Sequence, residues 1–430
     1  MEIETSGPIK RVVIIGGGFA GINLAKQLSK NKRFIITLVD KNNYYFFPPL
    51  IYQVATGFLE TSSISYPFRK LFRNALNVQF RLGSLLSVNT ATHTCYLDNG
   101  EIEYDYLVFA TGAEPNYFGN ENIKNNAIPM KTIDDALHMR NRLLQNLEQA
   151  SINTDALERT KLLTIVIAGG GPTGVEVAGM LAELRAYVLK RDYPELKNDT
   201  GKIHLVEGSK SLLLQMSEQS HKDAENALTK LGVGIKLNTT VKDFIGDTVY
   251  LSDGETIYSK NLIWTAGVTA KTFEGIPPSS IGRGKRMLVD AYNKVAGLDA
   301  VYAIGDACLQ TTDPAFDQGH PQLAQVAIQQ GKNLATNFSN ISTAKQLKPF
   351  RYFDKGTMAI IGRKKAVVDL PKPMLHFKGL IALFMWLFIH LMSLVMYRNK
   401  MRTLYNWGIA YFTKDQSLRM IVRPAVKPAA

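Results

Sequence analysis

Two continuous apolar runs, Val12-Val13-Ile14-Ile15 and Leu163 to Ala168, carry no polar alternation. Strands buried on both faces of a parallel sheet read this way, whereas half-solvated strands alternate. Each run ends in a glycine cluster, Gly16-Gly17-Gly18-Phe19-Ala20-Gly21 and Gly169-Gly170-Gly171-Pro172-Thr173-Gly174. Each cluster opens a stretch that reads as helix, the first running from Gly21 to Ser29. A strand from Phe34 to Val39 then ends at Asp40, and one from Ile203 to Val206 ends at Glu207. Three further strands run into small-residue turns: Tyr106 to Phe109 into Ala110-Thr111-Gly112, Leu262-Ile263 into Trp264-Thr265-Ala266-Gly267, and Val301 to Ile304 into Gly305-Asp306. Strands alternating with helices predict an α/β fold built on parallel sheets.

The glycine clusters carry specific chemistry. In such a loop the first glycine permits a tight turn, the second lets the backbone approach a pyrophosphate, and the third lets helix pack on strand. The helix N-terminus then faces the anion. The two first glycines lie 153 residues apart, a domain's length. Two Rossmann-like domains and two dinucleotides are expected, one held as a prosthetic group and one visiting. Asp40 lies 19 residues after Gly21, where an acid meets a ribose hydroxyl. Glu207 lies 33 residues after Gly174, so an insertion around Tyr187 to Gly201 is expected. A carboxylate there accepts from both ribose hydroxyls and repels a 2′-phosphate, which favours NADH over NADPH; Lys210 is the nearest cation after it. The plainer reading of either acid is a solvated strand end. Small residues at the other strand ends let a cofactor lie on the backbone, and Asp306 on its turn can hold a ribityl or ribose hydroxyl.

Charge changes the picture only at the C-terminus. The 430 residues carry a net charge of +13, and all of that excess falls within residues 341–430, which hold 16 Lys or Arg and 3 acids. Within them Gly379 to Tyr397 is a 19-residue run without formal charge, followed by Arg398, Lys400 and Arg402 and by a second apolar segment, Leu404 to Phe412. A core helix of a soluble domain, a single spanning helix just long enough to cross, and a pair of helices lying in one leaflet all explain the apolarity. The basic excess favours the last, docked on anionic headgroups. The apolar content argues against nucleic acid as the partner. Only two cysteines occur, Cys95 and Cys308, without Cys-x-x-Cys or His/Cys ligand spacing, so no disulfide framework and no metal are implied.

Order and spacing of these elements, over roughly residues 10–335, resemble the flavoprotein superfamily with two dinucleotide-binding domains: FAD first, NAD(P)H second, then a return to the FAD domain. Within it, the disulfide reductases and sulfide:quinone oxidoreductases need a cysteine relay, which this chain does not supply. Three further stretches narrow the family: Pro48 to Gly57, Ala324-Gln325-Val326-Ala327-Ile328-Gln329-Gln330-Gly331, and Phe353 to Gly362. They look like type II NADH:quinone oxidoreductases, the single-polypeptide, non-pumping respiratory enzymes. That resemblance implies residues 1–125 as the first part of an FAD domain, 126–281 as an NADH domain, 282–345 as the return segment and 346–430 as a membrane-association region. It implies tightly but non-covalently bound FAD, contacted by Gly16, Gly18, Phe19, Ala20, Gly21, Asp40, Lys41, Ala110, Thr111, Gly112, Gly305, Asp306, Ala324 and Gln325. NADH is contacted by Gly169, Gly171, Pro172, Thr173, Gly174, Glu176, Glu207, Ala266 and Gly267.

The same resemblance places Gln325 and Gln329 beside a membrane quinone, ubiquinone or menaquinone. They are four residues apart, hence on one helix face, and an amide can bond a quinone carbonyl without adding charge. An ordinary polar helix face is the alternative. Glu176 matches an acid near flavin and nicotinamide; a carboxylate answering the helix dipole is its alternative. Lys378 matches a basic residue at the mouth of the quinone path, or else contacts a headgroup. A homodimer on the inward-facing side of the cell membrane is implied as well. A ferredoxin-like protein acceptor, or a redox sensor with little turnover, also explains the glycine clusters.

Overall fold

The apolar runs become central strands. The structure, a computed structural model, describes residues 8–196, 201–413 and 419–422. The chain divides into two compact units, one of Met1–Phe46, Tyr66–Glu114 and Val268–Asp354, the other of Phe47–Ser65, Pro115–Gly267 and Lys355–Ala430.

In the first unit, strand Lys10–Ile15 is flanked by Phe34–Asp40 and Tyr106–Phe109. Val301–Ala303 and Val78–Leu82 complete a five-stranded parallel sheet. One face buries Val13, Ile15, Val39, Leu107 and Phe109 with Leu85, Val88 and Leu97 of a three-stranded antiparallel meander. Both cysteines lie in this core as free thiols, Cys308 pushed up to about 11 by burial. Helix Ala324–Ile341 lays Phe338 on Tyr106, with ring centroids 4.8 Å apart. It also crosses helix Phe19–Leu28 closely: a Cβ on Gly331 would lie 2.5 Å from the Ala20 carbonyl oxygen, so only glycine permits the crossing.

The second unit repeats the design. Its parallel sheet runs Ile128–Pro129, Asn261–Trp264, Ile165–Ala168, Ile203–Val206, Val233–Lys236. The second apolar run starts later than its hydrophobicity predicts. Leu163 closes a helix, Ala156–Leu163, and is buried with Ala150, Tyr193 and Leu196; its apolarity serves a satellite core rather than the sheet. The insertion expected before Glu207 is partly extra helix, since Pro172–Arg191 runs past Tyr187 and is followed by a short turn, Pro194–Leu196. Residues 197–200 of that stretch lie outside the described residues.

The C-terminal segment adds an antiparallel sheet of Thr357–Ile360, Ala366–Pro371 and Met374–Lys378 to this unit. The 19-residue uncharged run is not one helix. Helix Gly379–Ser393 stops where Leu394, itself buried, takes an extended conformation, and helix Tyr397–Thr413 begins anew. No helix among the described residues is long and apolar enough to cross a membrane, so the single-span expectation falls.

Candidate functional site

Each unit carries the same loop at the end of its central strand. Gly16 has φ +103°, and a Cβ there would lie 2.4 Å from the Ala110 carbonyl oxygen. Gly169 has φ +106°, and its Cβ would lie 2.8 Å from the Ala266 nitrogen. Both positions need glycine on conformational and steric grounds. The last glycines are equally constrained: Cβ atoms on Gly21 and Gly174 would fall 1.9 and 1.8 Å from the carbonyl oxygens of Gly16 and Gly169. The middle glycines differ. Among the described residues, nothing lies within 4 Å of a Cβ on Gly18 or Gly171. Gly18 also leaves helix Phe19–Leu28 without a side-chain cap. An open cradle beside unsatisfied helix N–H groups is what a pyrophosphate requires.

The predicted ribose acids are pinned to these loops. Asp40 Oδ2 accepts from Gly17 N at 2.7 Å and Oδ1 from Asn42 N at 2.8 Å. Burial raises its pKa, and the two main-chain bonds oppose that. Glu207 Oε2 accepts from Gly170 N, and its Oε1 from Ser209 N at 2.7 Å. Two oxygens offer about four lone-pair positions, so each acid keeps acceptor capacity for hydroxyls after these bonds.

In the first unit, Ala110-Thr111-Gly112 leaves strand Tyr106–Phe109 beside Gly16. Among the described residues the buried Thr111 hydroxyl has no hydrogen-bond partner, and Gly112 at φ +70° faces open space. An orphaned hydroxyl beside an open loop fits a cofactor that supplies its partner. Gly305, at φ +69°, opens the turn that carries Asp306, and a Cβ there would crowd Ala20 and Ala327 at 3.2 and 3.3 Å. The turn is braced from helix Ala324–Ile341: Gln330 Oε1 accepts from Gly305 N at 2.7 Å and from Cys308 Sγ at 3.4 Å. Sequence reasoning missed Gln330; its position beside Gln329, one step round the helix toward the core, was the available signal. Phe19, Ala20, Ala324 and Gln325 share this unit with Asp40 and Lys41.

Gln325 and Gln329 are both partly buried. The Gln329 amide is occupied at both ends by one residue, donating to the Phe353 carbonyl at 2.8 Å and accepting from its N–H at 3.0 Å. The expectation of two matched amides facing a substrate is therefore amended: Gln329 braces the main chain, and as a substrate contact it would have to give up one of these bonds.

In the second unit, Pro172, Thr173 and Gly174 form the first turn of helix Pro172–Arg191. Glu176 lies past that turn and is almost fully buried. Burial holds its carboxyl well above the ordinary range, against a main-chain hydrogen bond from Ile360. Answering the helix dipole does not account for an acid so desolvated. Gly267, at φ +85°, follows strand Asn261–Trp264 and Ala266. Lys378 precedes helix Gly379–Ser393, and its Nζ pairs with Asp223 at 3.1 Å. His376 lies between Asp369, 2.8 Å from Nδ1, and Asp223, 3.0 Å from Nε2, so Lys378 belongs to a charged cluster that sequence reasoning did not foresee.

The two C-terminal helices show apolar side chains outward. Leu380, Ile381, Phe384, Phe388 and Met392 are exposed on the first; Tyr397, Met401, Leu404 and Tyr405 on the second. The second helix turns polar groups inward. Asn399 Nδ2 lies 3.1, 2.9 and 3.0 Å from the carbonyl oxygens of Ser62, Ser63 and Ser65, and Asn406 Nδ2 lies 3.1 Å from Ser63 Oγ. Trp407 Nε1 donates to Gln53 Oε1 at 2.7 Å.

The family model for pyridine nucleotide-disulphide oxidoreductases matches residues 10–331, and that for the NDH2 C-terminal domain matches residues 355–422. The type II NADH:quinone oxidoreductase NdhA of Mycobacterium tuberculosis is 37% identical, over 95% of this chain and 89% of its own length. The Ndh enzyme of the same organism is 36% identical, over 94% and 88%. In fold, NDH2 from Plasmodium falciparum, solved in complex with NADH, superposes with a TM-score of 0.87 at 21% identity, over 96% of this chain and all of that one. The sulfide:quinone oxidoreductase of Aquifex aeolicus follows with a TM-score of 0.72 at 20% identity, over 94% and 96%. With its two glycine loops, its uncapped cradle and its matched C-terminal segment, the chain belongs to the type II NADH:quinone oxidoreductase family.

Proposed function

We propose that this chain oxidises NADH and reduces a membrane quinone by assigning one dinucleotide to each unit. FAD lies on the Gly16–Gly21 loop, with Asp40 on its ribose and with Thr111 and Asp306 along its length. NADH docks on the Gly169–Gly174 loop, with Glu207 on its ribose. The observation that carries the assignment is the repetition of one device: an open middle glycine with an acid pinned to the loop by main-chain N–H groups. FAD, when bound, supplies the chemistry, accepting a hydride equivalent and delivering two electrons to the acceptor.

The protein's own residues position and protonate. Gln325 offers an amide to a quinone carbonyl without adding charge, while Gln329 braces its helix against Phe353. Glu176, desolvated and favouring its neutral form, can hold a proton. Glu207 disfavours a 2′-phosphate and so favours NADH over NADPH. A quinone insoluble in water needs a pocket that opens to lipid. The exposed apolar faces of helices Gly379–Ser393 and Tyr397–Thr413 fit a one-leaflet attachment, with Arg398 and Lys400 beside them for anionic headgroups. Each such apolar side chain contributes about 1.5–3 kcal/mol on full burial. Attachment to the inward-facing leaflet and a homodimeric state complete the reading on family resemblance.

Anaerobic titration tests the assignment. One equivalent of NADH should bleach the flavin, and one of short-chain quinone should restore it. Gln325→Ala should slow only the second half-reaction. Equal loss of both halves would remove Gln325 from quinone binding.

A further inference from the structure

The turn that carries Asp306 is a single short 3-10 element, Gly305–Ala307. Hydrogen bonds inside such a turn have poor geometry, so bonds from outside set its conformation. Among the described residues, four side chains supply them to the main chain of the turn and its two flanks. Asn293 Nδ2 donates to the Ala303 carbonyl at 3.1 Å, and Gln330 Oε1 accepts from the Gly305 N–H at 2.7 Å. Gln322 Nε2 donates to the Asp306 carbonyl at 3.2 Å, and Arg286 Nε to the Cys308 carbonyl at 2.6 Å.

Gln330 differs from the other three in where it comes from and in what it leaves unmet. It is 0% exposed, and its oxygen takes a second donor, Cys308 Sγ, at 3.4 Å. A main-chain N–H only donates, so the Gly305 bond fixes which end of the amide faces the turn. The other end gains little: among the described residues, Gln330 Nε2 has no hydrogen-bond partner. A buried donor without a partner costs stability, and an apolar side chain would fill the same space without that cost. What the amide adds here is an acceptor for the turn.

Its place on helix Ala324–Ile341 gives that acceptor a fixed origin. Gln329 holds the Phe353 main chain at both ends of its amide, and Gly331 lets the helix lie against the Ala20 carbonyl. Successive residues of a helix point about 100° apart. Residues 329, 330 and 331 therefore tie one helix to three separate pieces: Phe353, the Asp306 turn, and the helix that follows the first glycine loop. Contacts in three directions fix the rotation of the helix as well as its position. The Gln330 oxygen thus holds the Asp306 turn in register with the Gly16–Gly21 loop.

Resting on the reading of Asp306 as a flavin contact, we propose that Gln330 is a positioning residue for FAD. Its amide oxygen holds the Gly305–Ala307 turn in the conformation that presents Asp306, so that FAD need not select this conformation from others.

The test measures FAD release from the detergent-solubilised holoenzyme on dilution, read by the fluorescence of free flavin. Gln330→Met fills the space without an acceptor. The turn then samples other conformations, and the apparent dissociation constant for FAD should rise by the inverse of the competent fraction, roughly tenfold to 100-fold. Gln330→Asn falls a methylene short of Gly305 and should weaken binding likewise, which keeps the test open if Gln330→Met fails to fold. Gln330→Glu keeps an oxygen acceptor and should stay within about threefold of wild type. Cys308→Ala removes only the weak thiol donor and should also stay within about threefold. Gln330→Met combined with Asp306→Ala should bind FAD no worse than Asp306→Ala alone, because the amide acts through that acid. Unchanged FAD affinity in Gln330→Met and Gln330→Asn would overturn the proposal, even with a lowered melting midpoint. So would a loss that adds in full to that of Asp306→Ala, or a Gln330→Glu enzyme as weak as Gln330→Met. If Asp306→Ala itself leaves FAD affinity unchanged, the reading of Asp306 fails; a weakened Asp306→Ala beside an unaffected Gln330→Met removes the positioning role alone.

Discussion

Gly171 and Gly174 lie three residues apart in one loop, yet alanine should harm them in opposite ways. A Cβ on Gly174 would lie 1.8 Å from the Gly169 carbonyl oxygen and 2.9 Å from Thr265 Oγ1. The closer clash is with backbone at the tightest point of the strand–helix turn, and the Gly169 carbonyl cannot rotate away. Overpacking commonly costs about 1–3 kcal/mol, and a backbone overlap belongs at the top of that range. For a unit of this size, about 3 kcal/mol lowers the melting midpoint by roughly 6–12 °C. A Cβ on Gly171 meets nothing within 4 Å, and that residue is not held at positive φ. Gly171→Ala should therefore leave stability unchanged, or raise it by roughly 0.4–1 kcal/mol through the unfolded chain. Its methyl would stand where the backbone must approach the pyrophosphate. Losing one hydrogen bond to a charged phosphate costs about 1.5–3 kcal/mol, or roughly 10–150-fold in NADH affinity. Scanning fluorimetry reads the first quantity, and the NADH dependence of flavin bleaching reads the second. A Gly171→Ala enzyme that binds NADH within twofold of wild type would refute the cradle. A Gly174→Ala enzyme of full stability would refute the steric argument.

Glu207→Gln should raise kcat/KM for NADPH relative to NADH by roughly fivefold to tenfold, since about 1–1.5 kcal/mol of repulsion between exposed charges disappears; steady-state rates with the two nucleotides check it. Phe384→Glu and Phe388→Glu, at side chains 68% and 66% exposed, should leave folding intact and lower binding to anionic vesicles at least tenfold in a sedimentation assay. His390 packs face to face with Trp386 at 3.8 Å, and burial pushes its imidazole down to about 4. The unfolded chain then binds the extra proton first, so stability is complete above about pH 6.5 and falls as pH drops toward 4, by at most about 3 kcal/mol. Denaturant midpoints at pH 7 and pH 5 should show this loss, and His390→Gln should flatten it.

What the sequence displays and what it hides follow from the range of each interaction. The glycine loops are legible because their constraints are local: a backbone turn, a neighbouring strand end, and an acid that ends the next strand. Glu207 could be picked out as the acid beside the second loop despite its long spacing, because extra helix before a strand does not alter the strand's end. Gln329 was less legible. Its partner, Phe353, lies 24 residues downstream on main chain, and helical periodicity does not separate an amide facing a ligand from one facing a backbone. The pairing of Trp407 with Gln53 spans 354 residues and leaves no local trace. A single span stayed open for the apolar run from Gly379 beside the favoured helix pair, because counting charges says nothing of where a helix stops. Its successor, Tyr397–Thr413, is amphipathic with an inverted sense. Asn399 is worth burying because three serine carbonyls converge on one donor group, and Tyr405 is left outside for the same reason. Which face of an amphipathic helix points inward is thus decided by the unsatisfied groups it must cover. That inversion, more than the length of the run, is what supports the proposed one-leaflet attachment of this helix.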